Sequence, residues 1–189
     1  MTSILVVCTG NICRSPMAEG FLRRDLERRF GQEAPDVSSA GVGAWDGTEV
    51  TDGSRIAAAE RGTDIAGHRA RMVTADLVRK ADLVLCMAAE HRWAIEELAP
   101  DAASRTFTLK ELVRLLESST ANGSAPGLRA RVADAAETRA RGFAGNPSDE
   151  DVADPLGQPL EAYRGVAWEL DELTRRLDTG LFGARTESD

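Results

Sequence analysis

Short apolar runs alternate with amphipathic segments along this chain of 189 residues. Residues 4–8 (ILVVC) are a continuous apolar run with the length of a buried strand, and residues 81–87 (ADLVLCM), apolar apart from Asp82, also predict a buried strand. Weaker strand signals lie at residues 37–40 and 105–108. Runs without polar alternation are typical of parallel strands, because helices cover both faces of a parallel sheet. The pattern therefore predicts about four parallel strands.

Apolar residues recur every three to four positions between these runs, which indicates amphipathic helices. The first helix is expected to have Ser15 as its N-cap and Pro16 at its first helical position, and to end at Gly31. Further helices are predicted over residues 53–61, 90–98, 109–117 and, with the longest apolar stripe, 160–177. Strands that alternate with helices indicate an α/β domain whose sheet is covered on both faces.

Residues 118–151 depart from this alternation. Their two ends, SSTANGSAPG (118–127) and GFAGNPSDED (142–151), are rich in small polar residues and flank a segment that predicts a short, exposed helix. We interpret residues 118–151 as a surface excursion from a single domain that spans residues 1–180. Residues 181–189 are expected to form a frayed tail.

Composition and charge narrow the class of protein. A hydrophobic content of 42% and a charged content of 29% are typical of a globular domain, and no run approaches 18 apolar residues, so no membrane span is expected. The N-terminus lacks the basic region of a signal peptide, and three cysteines do not resemble a disulfide framework. We therefore expect a cytoplasmic protein. The net charge of −8 argues against a nucleic-acid partner.

The end of the first strand carries the string VVCTGNICRSP. Cys8 ends the apolar run, five residues separate it from Arg14, and a helix follows. A strand end, a short loop and a helix N-terminus direct several backbone N–H groups at one point, where the helix dipole adds positive potential. Such a nest binds a phosphate-like dianion, and the same field stabilises a thiolate.

Arg14 fits this interpretation because its planar guanidinium can bind two oxygens of one tetrahedral anion. Ser15 can donate its hydroxyl to Cys8 when the sulfur leaves. However, a lone cysteine at a strand end is most often a small buried apolar residue, and a bare Cys-x5-Arg pattern occurs by chance. The spacing alone therefore leaves both interpretations open.

The longer string CTGNICRSPMAE, in its strand–loop–helix context, closely resembles the low-molecular-weight protein tyrosine phosphatases. The resemblance covers the chain nearly end to end. Its matches are the loop at Cys8 to Ser15, the SAG stretch followed by Trp45, GHRAR at residues 67–71, ADLVLCM before His91, and Asp154-Pro155. It implies a doubly wound α/β domain with strand order 2-1-3-4 and a site at the first strand-to-helix turn.

The resemblance also implies a role for each matched residue. Cys8 would be the nucleophile that forms a phosphocysteine intermediate, and Arg14 would bind the phosphoryl oxygens. The rest of the binding loop would be Thr9, Gly10, Asn11, Ile12, Cys13 and Ser15. Asn11 would hold the loop in shape through a network with Ser15, Ser39 and His68. Trp45 would form an aromatic wall of the substrate cleft, whereas His91 is expected to be an exposed helix residue without a catalytic role.

Asp154 is the expected general acid. A leaving oxygen on phosphorus needs a proton, and the carboxylate can later take a proton from the attacking water. Asp-Pro can also be a simple turn signal. Asp149, Glu150 and Asp151 lie nearby, but only Asp154 precedes a proline. The chain departs from the family pattern at Leu156, where many members have an aromatic residue.

Three further functions are alternatives to a protein tyrosine phosphatase. Protein arginine phosphatases of the same fold tend to have threonine where this chain has Ile12, so the apolar side chain favours an aryl substrate. An arsenate reductase needs paired thiols to relay electrons, and Cys86 stands alone on its strand. A non-catalytic phosphotyrosine-binding module would not need both a nucleophile and an acid.

The expected partner is a tyrosine-phosphorylated protein, with a bacterial-type tyrosine kinase as one candidate, and the protein is expected to be a monomer or a weak dimer. No cofactor and no metal are expected, because the two histidines lie far apart without ligand spacing. Cys13 is five positions from Cys8 in a loop that bends back on itself. We therefore expect an oxidised Cys8 to be trapped as a Cys8–Cys13 disulfide.

Overall fold

The computed structural model describes residues 2–118, 127–142 and 149–184. In this part of the chain one sheet is formed by four parallel strands, β1 (Ser3–Cys8), β2 (Asp36–Gly41), β3 (Leu83–Cys86) and β4 (Thr106–Thr108). The strands lie in the order β2-β1-β3-β4. The predicted doubly wound α/β fold and its strand order are therefore confirmed.

The helices that connect and cover the strands follow the predicted periodicity closely. They are α1 (Arg14–Phe30), α2 (Asp52–Glu60), α3 (Ala75–Lys80), α4 (Ala89–Leu98), α5 (Leu109–Ser118), α6 (Leu128–Ala140) and α7 (Leu160–Phe182). Short 3-10 helices cover Gly31–Glu33 and Pro100–Arg105. The sequence pattern did not predict α3, which spans six residues and buries only Val78. One buried residue is too few to produce a helical period.

Helix α1 begins differently from the prediction. Its N-cap is Cys13, whose side chain makes no capping hydrogen bond. The prediction of Ser15 as the N-cap is wrong, because Ser15 lies inside the first turn of the helix. Its hydroxyl oxygen lies 3.0 Å from the Cys8 sulfur, so the hydroxyl contacts the loop and does not cap the helix.

The central strand β1 sends alternate side chains into two separate cores. Ile4, Val6 and Cys8 face the larger core, which contains side chains of α1, α5 and α7. Leu5 and Val7 face the smaller core beside α3 and α4. Burying an aliphatic side chain of this size contributes about 1.5–3 kcal/mol, so both faces stabilise the strand. This two-sided burial explains the continuous apolar run at residues 4–8 and fixes the strand end that carries Cys8.

Helix α6 belongs to the segment predicted to be a surface excursion with an exposed helix. The prediction of an exposed helix is wrong: Leu128, Val132 and Ala135 are buried and contribute to the larger core. The remainder of α6 consists of alanines and charged or polar residues, which weakens the periodic signal that the sequence offers. Of the polar stretches on either side, residues 119–126 and 143–148 lie outside the described residues.

The C-terminal helix is longer than predicted. Helix α7 continues to Phe182, and Leu181 is fully buried, so residues 181 and 182 are part of the helix and not of a frayed tail. Residues 185–189, which complete the predicted tail, lie outside the described residues. Among residues 2–118, 127–142 and 149–184, no helix is both long enough and apolar enough to cross a bilayer.

Candidate active site

The loop between β1 and α1 wraps closely around the Cys8 sulfur. The backbone N–H of Asn11 donates to Sγ at 3.2 Å, and the Ser15 hydroxyl oxygen lies 3.0 Å from the same atom. Cys8 is buried, at the end of β1 and beside the N-terminus of α1. A thiolate at this position is stabilised by hydrogen-bond donors and by the positive end of the helix dipole.

Asn11 fixes the shape of this loop with both its backbone and its side chain. Its φ is +54°, a left-handed conformation that among the described non-glycine residues occurs only here, and asparagine tolerates it better than most residues. Its side-chain amide donates to Ser15 Oγ at 2.9 Å and to Ser39 Oγ at 2.8 Å. Its side-chain oxygen accepts from the backbone N–H of Arg71 at 3.0 Å. The loop is therefore tied to β2 and to the segment that follows α2.

His68 completes this network by binding the backbone of Asn11. Its Nε2 donates to the backbone oxygen of Asn11 at 3.1 Å. Burial lowers the pKa of His68, and the nearby Glu19 carboxylate opposes that shift. Glu19 also accepts a hydrogen bond from Ser39. The structure thus brings together Asn11, Ser15, Ser39 and His68, and it adds Glu19, which the sequence pattern did not single out.

Gly41 is a second residue that the sequence pattern did not single out. It lies opposite Cys8 in the sheet register, at the end of β2. A Cβ at this position would lie 2.4 Å from the Thr9 carbonyl oxygen and 3.0 Å from the Asn11 nitrogen. Both neighbours are backbone atoms that cannot move away easily, so only glycine allows β2 to pack against the loop. The SAG string at residues 39–41 was the sequence feature that could have indicated this glycine.

Arg14 extends along the rim of the loop with most of its donors occupied. Nη1 donates to the Val152 carbonyl at 3.1 Å, and Nη2 donates to Thr9 Oγ1 at 3.3 Å and to Asp154 Oδ2 at 2.7 Å. Its Nε is buried and has no hydrogen-bond partner among the described residues. A buried cationic donor without a partner costs free energy, and a bound oxyanion would satisfy it.

Asp154 is the acidic residue of its segment that reaches the loop. Its side chain is 45% exposed and forms the ion pair with Arg14. Asp151 instead accepts from the backbone N–H of Ala89 at 2.8 Å, at the start of α4. Asp149 pairs with Lys110 at 3.4 Å. The structure therefore separates Asp154 from the neighbours that share its charge.

Glu150 anchors this acidic segment to the body of the domain. It is buried and lies within 3.8 Å of Arg92 and 3.5 Å of Arg114. Burial raises the pKa of Glu150, and the neighbouring Glu111 raises it further. The backbone N–H of Val152 donates to Met87 at the end of β3, at 2.8 Å. These contacts hold the chain on both sides of Val152, two residues before Asp154.

The apolar side chains near the loop lie at its outer edge. Trp45 is 82% exposed and follows Gly43, whose N–H donates to the Thr9 carbonyl at 2.9 Å. Ile12 is half-buried and covers Gly10, because a Cβ on Gly10 would lie 3.3 Å from Ile12 Cγ1. Leu156, which replaces the usual aromatic residue, is exposed. Trp45, Ile12 and Leu156 are therefore accessible apolar side chains on the loop or on segments that contact it.

His91 is not the exposed residue that the sequence pattern predicts. Its side chain has no accessible surface, and its Nε2 lies 2.9 Å from Thr9 Oγ1. Burial lowers the pKa of His91 to about 4, and the positive charge of Arg14 adds to this effect. The prediction is wrong because helix α4 turns this residue toward the loop. The position of His91 four residues before the buried Ile95 on the same helix was the available signal.

The other two cysteines differ from Cys8 in their surroundings. Cys13 is buried, its Sγ lies 3.4 Å from Thr51 Oγ1, and burial raises its pKa. Burial also raises the pKa of Cys86, which is completely enclosed in the smaller core. Both are therefore thiols at neutral pH. Within the described ranges, no three or more His, Cys, Asp or Glu side chains form a group that could hold a metal ion.

The position of Cys13 in the same loop as Cys8 leads to a redox prediction. Oxidation of Cys8 to a sulfenic acid gives an electrophile that the Cys13 thiol, in the same loop, can attack to form a disulfide with loss of water. Peroxide inactivation of the wild type should therefore be reversed by dithiothreitol, whereas inactivation of Cys13→Ser should become largely irreversible. Phosphatase activity after timed peroxide exposure measures both. Equal recovery in the two proteins would contradict the trap, and Cys86→Ala serves as the control for loss of a thiol elsewhere.

The Cys8 sulfur at a strand end, with the Asn11 N–H and the Ser15 hydroxyl beside it and with Arg14 and Asp154 at the same loop, is the arrangement expected of a cysteine-dependent phosphatase. The chain belongs to the low-molecular-weight protein tyrosine phosphatase family. The model of that family, described as low molecular weight phosphotyrosine protein phosphatase, matches residues 3–126.

Known proteins of this family resemble the chain over different lengths. A protein-arginine-phosphatase of Geobacillus stearothermophilus is 33% identical over 176 residues, which are 92% of each chain. The low molecular weight protein-tyrosine-phosphatase Etp of Escherichia coli K12 is 39% identical over 105 residues, 56% of this chain and 67% of Etp. The crystal structure of a low molecular weight protein tyrosine phosphatase from T. tengcongensis has a TM-score of 0.71 at 32% identity and covers 94% of this chain and 97% of its own.

Proposed function

We propose that this protein hydrolyses phosphotyrosine in proteins through a phosphocysteine intermediate on Cys8. The observation that carries the proposal is the group around the sulfur. Asn11 donates to the Cys8 sulfur, and the buried Nε of Arg14 lacks a partner among the described residues. Asp154 lies 2.7 Å from the same guanidinium. Nucleophile, oxyanion donors and acid are thus within one site.

In the first proposed step, the Cys8 thiolate attacks phosphorus, a P–S bond forms and the bond from phosphorus to the phenolic oxygen breaks. Asp154 in its acid form gives its proton to that oxygen, and tyrosine leaves. In the second step, the Asp154 carboxylate takes a proton from a water molecule whose oxygen attacks phosphorus. The P–S bond breaks, inorganic phosphate leaves, and the Ser15 hydroxyl donates to the regenerated thiolate.

Arg14 and Asp154 must exchange partners during this cycle. In the structure, Arg14 Nη2 donates to the carboxylate of Asp154. A phosphoryl dianion has more negative charge and two or more acceptor oxygens, so it competes for the same guanidinium. Binding of substrate would then free Asp154 to face the leaving oxygen. Because Asp154 is 45% exposed, it can move without disturbing the core.

A protein arginine phosphatase is the second candidate function. The observation in its favour is that the Geobacillus stearothermophilus protein-arginine-phosphatase aligns with 92% of this chain, whereas Etp aligns with 56%. Against it stands Ile12, which places an apolar side chain over Gly10 at the edge of the loop. An arsenate reductase is disfavoured because Cys86 is fully enclosed and cannot relay electrons to the loop.

The first test compares two substrates in buffer with EDTA. We expect the wild type to have a higher kcat/KM for a phosphotyrosine peptide than for a phosphoarginine peptide of the same sequence. Ile12→Thr should lower this ratio by about tenfold, because it replaces an ethyl group by a hydroxyl, and one methylene more or less in an apolar contact changes discrimination by roughly 1–3 kcal/mol. Ile12→Val has nearly the same shape as threonine and no hydroxyl, so it is the matched control and should keep the preference.

Two results would contradict the choice of substrate. A wild type that prefers phosphoarginine would overturn the preference for phosphotyrosine and support the second candidate. An unchanged ratio in Ile12→Thr would remove Ile12 as its cause. Cys8→Ser should lose activity on both peptides, because either substrate would use the same nucleophile.

The physiological partner is proposed to be a tyrosine-phosphorylated protein, with an autophosphorylated bacterial-type tyrosine kinase in the cytoplasm as the candidate. The relatives that carry phosphatase names act on phosphorylated proteins, which supports the class of partner. Cys8→Ser should retain a phosphorylated kinase peptide on a column and release it with free phosphate. The expectation of a monomer or weak dimer stays a prediction, which sedimentation would test.

A further inference from the structure

We propose that His91 is a positioning residue for phosphoryl binding, acting through the Thr9 hydroxyl on the guanidinium of Arg14. The proposal rests on the proposed phosphatase function. The observation behind it is a chain of two hydrogen bonds. His91 Nε2 lies 2.9 Å from Thr9 Oγ1, and Arg14 Nη2 donates to the same oxygen at 3.3 Å. The Thr9 hydroxyl is therefore the link between a buried imidazole and the arginine of the loop in this chain of contacts.

Because His91 is buried, it is the residue that restrains Thr9 in this pair. The imidazole has no accessible surface, whereas Thr9 lies at the exposed edge of the loop. A side chain fixed in the interior can restrain an exposed one, while the reverse restraint is weak. Each neutral tautomer can make the bond, because Nε2 either donates to the hydroxyl oxygen or accepts its proton.

The other polar contacts of His91 within the described residues are weak or absent. Its Nδ1 is buried without a hydrogen-bond partner. Glu90 on its own helix lies 3.5 Å from Nε2, which is longer than a good hydrogen bond, and its side chain is mostly exposed. A buried ring nitrogen without a partner costs free energy, and a role of the other nitrogen at the site explains why the chain tolerates that cost.

Burial, more than the charges that face it, keeps the imidazole of His91 neutral. Arg14 on α1 disfavours a second positive charge, while Asp151 and Asp154 of the acidic segment and Glu90 of α4 favour it. Burial outweighs the acidic neighbours, so the pKa of His91 is about 4. His91 therefore restrains Thr9 without competing with Arg14 for the anion.

Thr9 is one of the two described residues that accept a hydrogen bond from Arg14 Nη2. This nitrogen donates to Thr9 Oγ1 and to Asp154 Oδ2. When Asp154 moves away for catalysis, Thr9 is the acceptor that remains in the loop. A hydroxyl held by His91 keeps the guanidinium in place at that moment, whereas a free hydroxyl would rotate with it.

The test measures the dissociation constant of inorganic phosphate by calorimetry, together with kcat and KM for a phosphotyrosine peptide. Glutamine reaches the position of the imidazole Nε2, whereas asparagine reaches only that of Nδ1. His91→Asn should therefore weaken phosphate binding by about 3- to 10-fold, the usual worth of one neutral hydrogen bond, and His91→Gln should recover most of it. Trp93→Ala, on the exposed side of α4, is the control and should bind phosphate like the wild type.

Thr9→Val breaks the same link from the exposed side and does not depend on whether the His91 variants fold. It should weaken phosphate binding by at least as much as His91→Asn, and adding His91→Asn to Thr9→Val should cause no further loss. Equal losses in His91→Asn and His91→Gln, an unchanged constant in Thr9→Val, or full additivity would each overturn the proposal. Phosphate binding needs no turnover, so a wild type without phosphatase activity would contradict the proposed function and leave this measurement intact.

Discussion

Cys8→Ser should bind inorganic phosphate with nearly unchanged affinity and hydrolyse phosphotyrosine more slowly by at least about 10⁴-fold, as expected when a nucleophile is lost. The donors that hold the anion, the loop N–H groups and Arg14, are retained in this variant. A serine hydroxyl at this position is barely ionised near neutral pH, whereas the sulfur of Cys8 already accepts a hydrogen bond from Asn11 at 3.2 Å. Steady-state assays and phosphate titration measure the two properties separately.

The control for this prediction is Cys86→Ala, which removes a thiol in the smaller core, away from the loop. It should keep kcat for phosphotyrosine close to that of the wild type. EDTA should have no effect on any of the three proteins. Full activity in Cys8→Ser, or activity that is lost with EDTA and restored by a metal ion, would contradict a cysteine nucleophile.

Asp154→Asn should slow hydrolysis of phosphotyrosine and of alkyl phosphates by about 10²- to 10⁴-fold, the usual contribution of a positioned acid. Asparagine keeps the shape of the side chain but has no proton to give to the leaving oxygen. An aryl phosphate with a strongly acidic phenol does not need that proton and should lose much less at the step that forms the phosphoenzyme. Single-turnover measurements across a series of phenols give this dependence directly.

Asp149→Asn and Asp151→Asn are matched controls for this change. Asp149 is exposed and pairs with Lys110, and Asp151 accepts a hydrogen bond at the start of α4. Asparagine accepts such a hydrogen bond about as well as aspartate, so neither change should affect any substrate strongly. A larger loss in Asp151→Asn, or a loss in Asp154→Asn that does not depend on the phenol, would show that the general acid has been assigned wrongly.

The sequence predicted those parts of the fold that follow from local burial. The run at residues 4–8 is apolar because β1 is buried on both faces, and this alone indicated a central parallel strand. Helix α3 was missed because only Val78 is buried along its six residues. Helix α6 was expected to be exposed because its buried residues are separated by many charges, and its contact with the larger core depends on tertiary packing.

The residues of the site likewise fall into those that the sequence indicates and those that only tertiary contacts reveal. Cys8, Arg14 and Asn11 lie in one short loop, so the continuous string CTGNICRSPMAE indicated an anion site through its family resemblance, although the Cys-x5-Arg spacing alone did not. Asp154 was found through the family resemblance, since 140 positions separate it from Arg14. His91 and Gly41 act through contacts between distant segments: one side chain is buried against Thr9, and one missing Cβ lets β2 approach the loop. No periodicity within either segment reveals such contacts.

The proposed mechanism depends on the transfer of phosphorus to the sulfur of Cys8. This transfer can be observed by mixing the wild type with a phosphotyrosine peptide, denaturing the mixture within milliseconds, and locating the added phosphate by mass spectrometry. We expect one phosphate on the peptide that contains Cys8, formed and lost at rates consistent with kcat, and none on the same peptide of Cys8→Ser. Phosphate on another residue would contradict the mechanism, as would the absence of any phosphoenzyme when Asp154→Asn turns over an aryl phosphate with a strongly acidic phenol, whose transfer to sulfur does not need the acid.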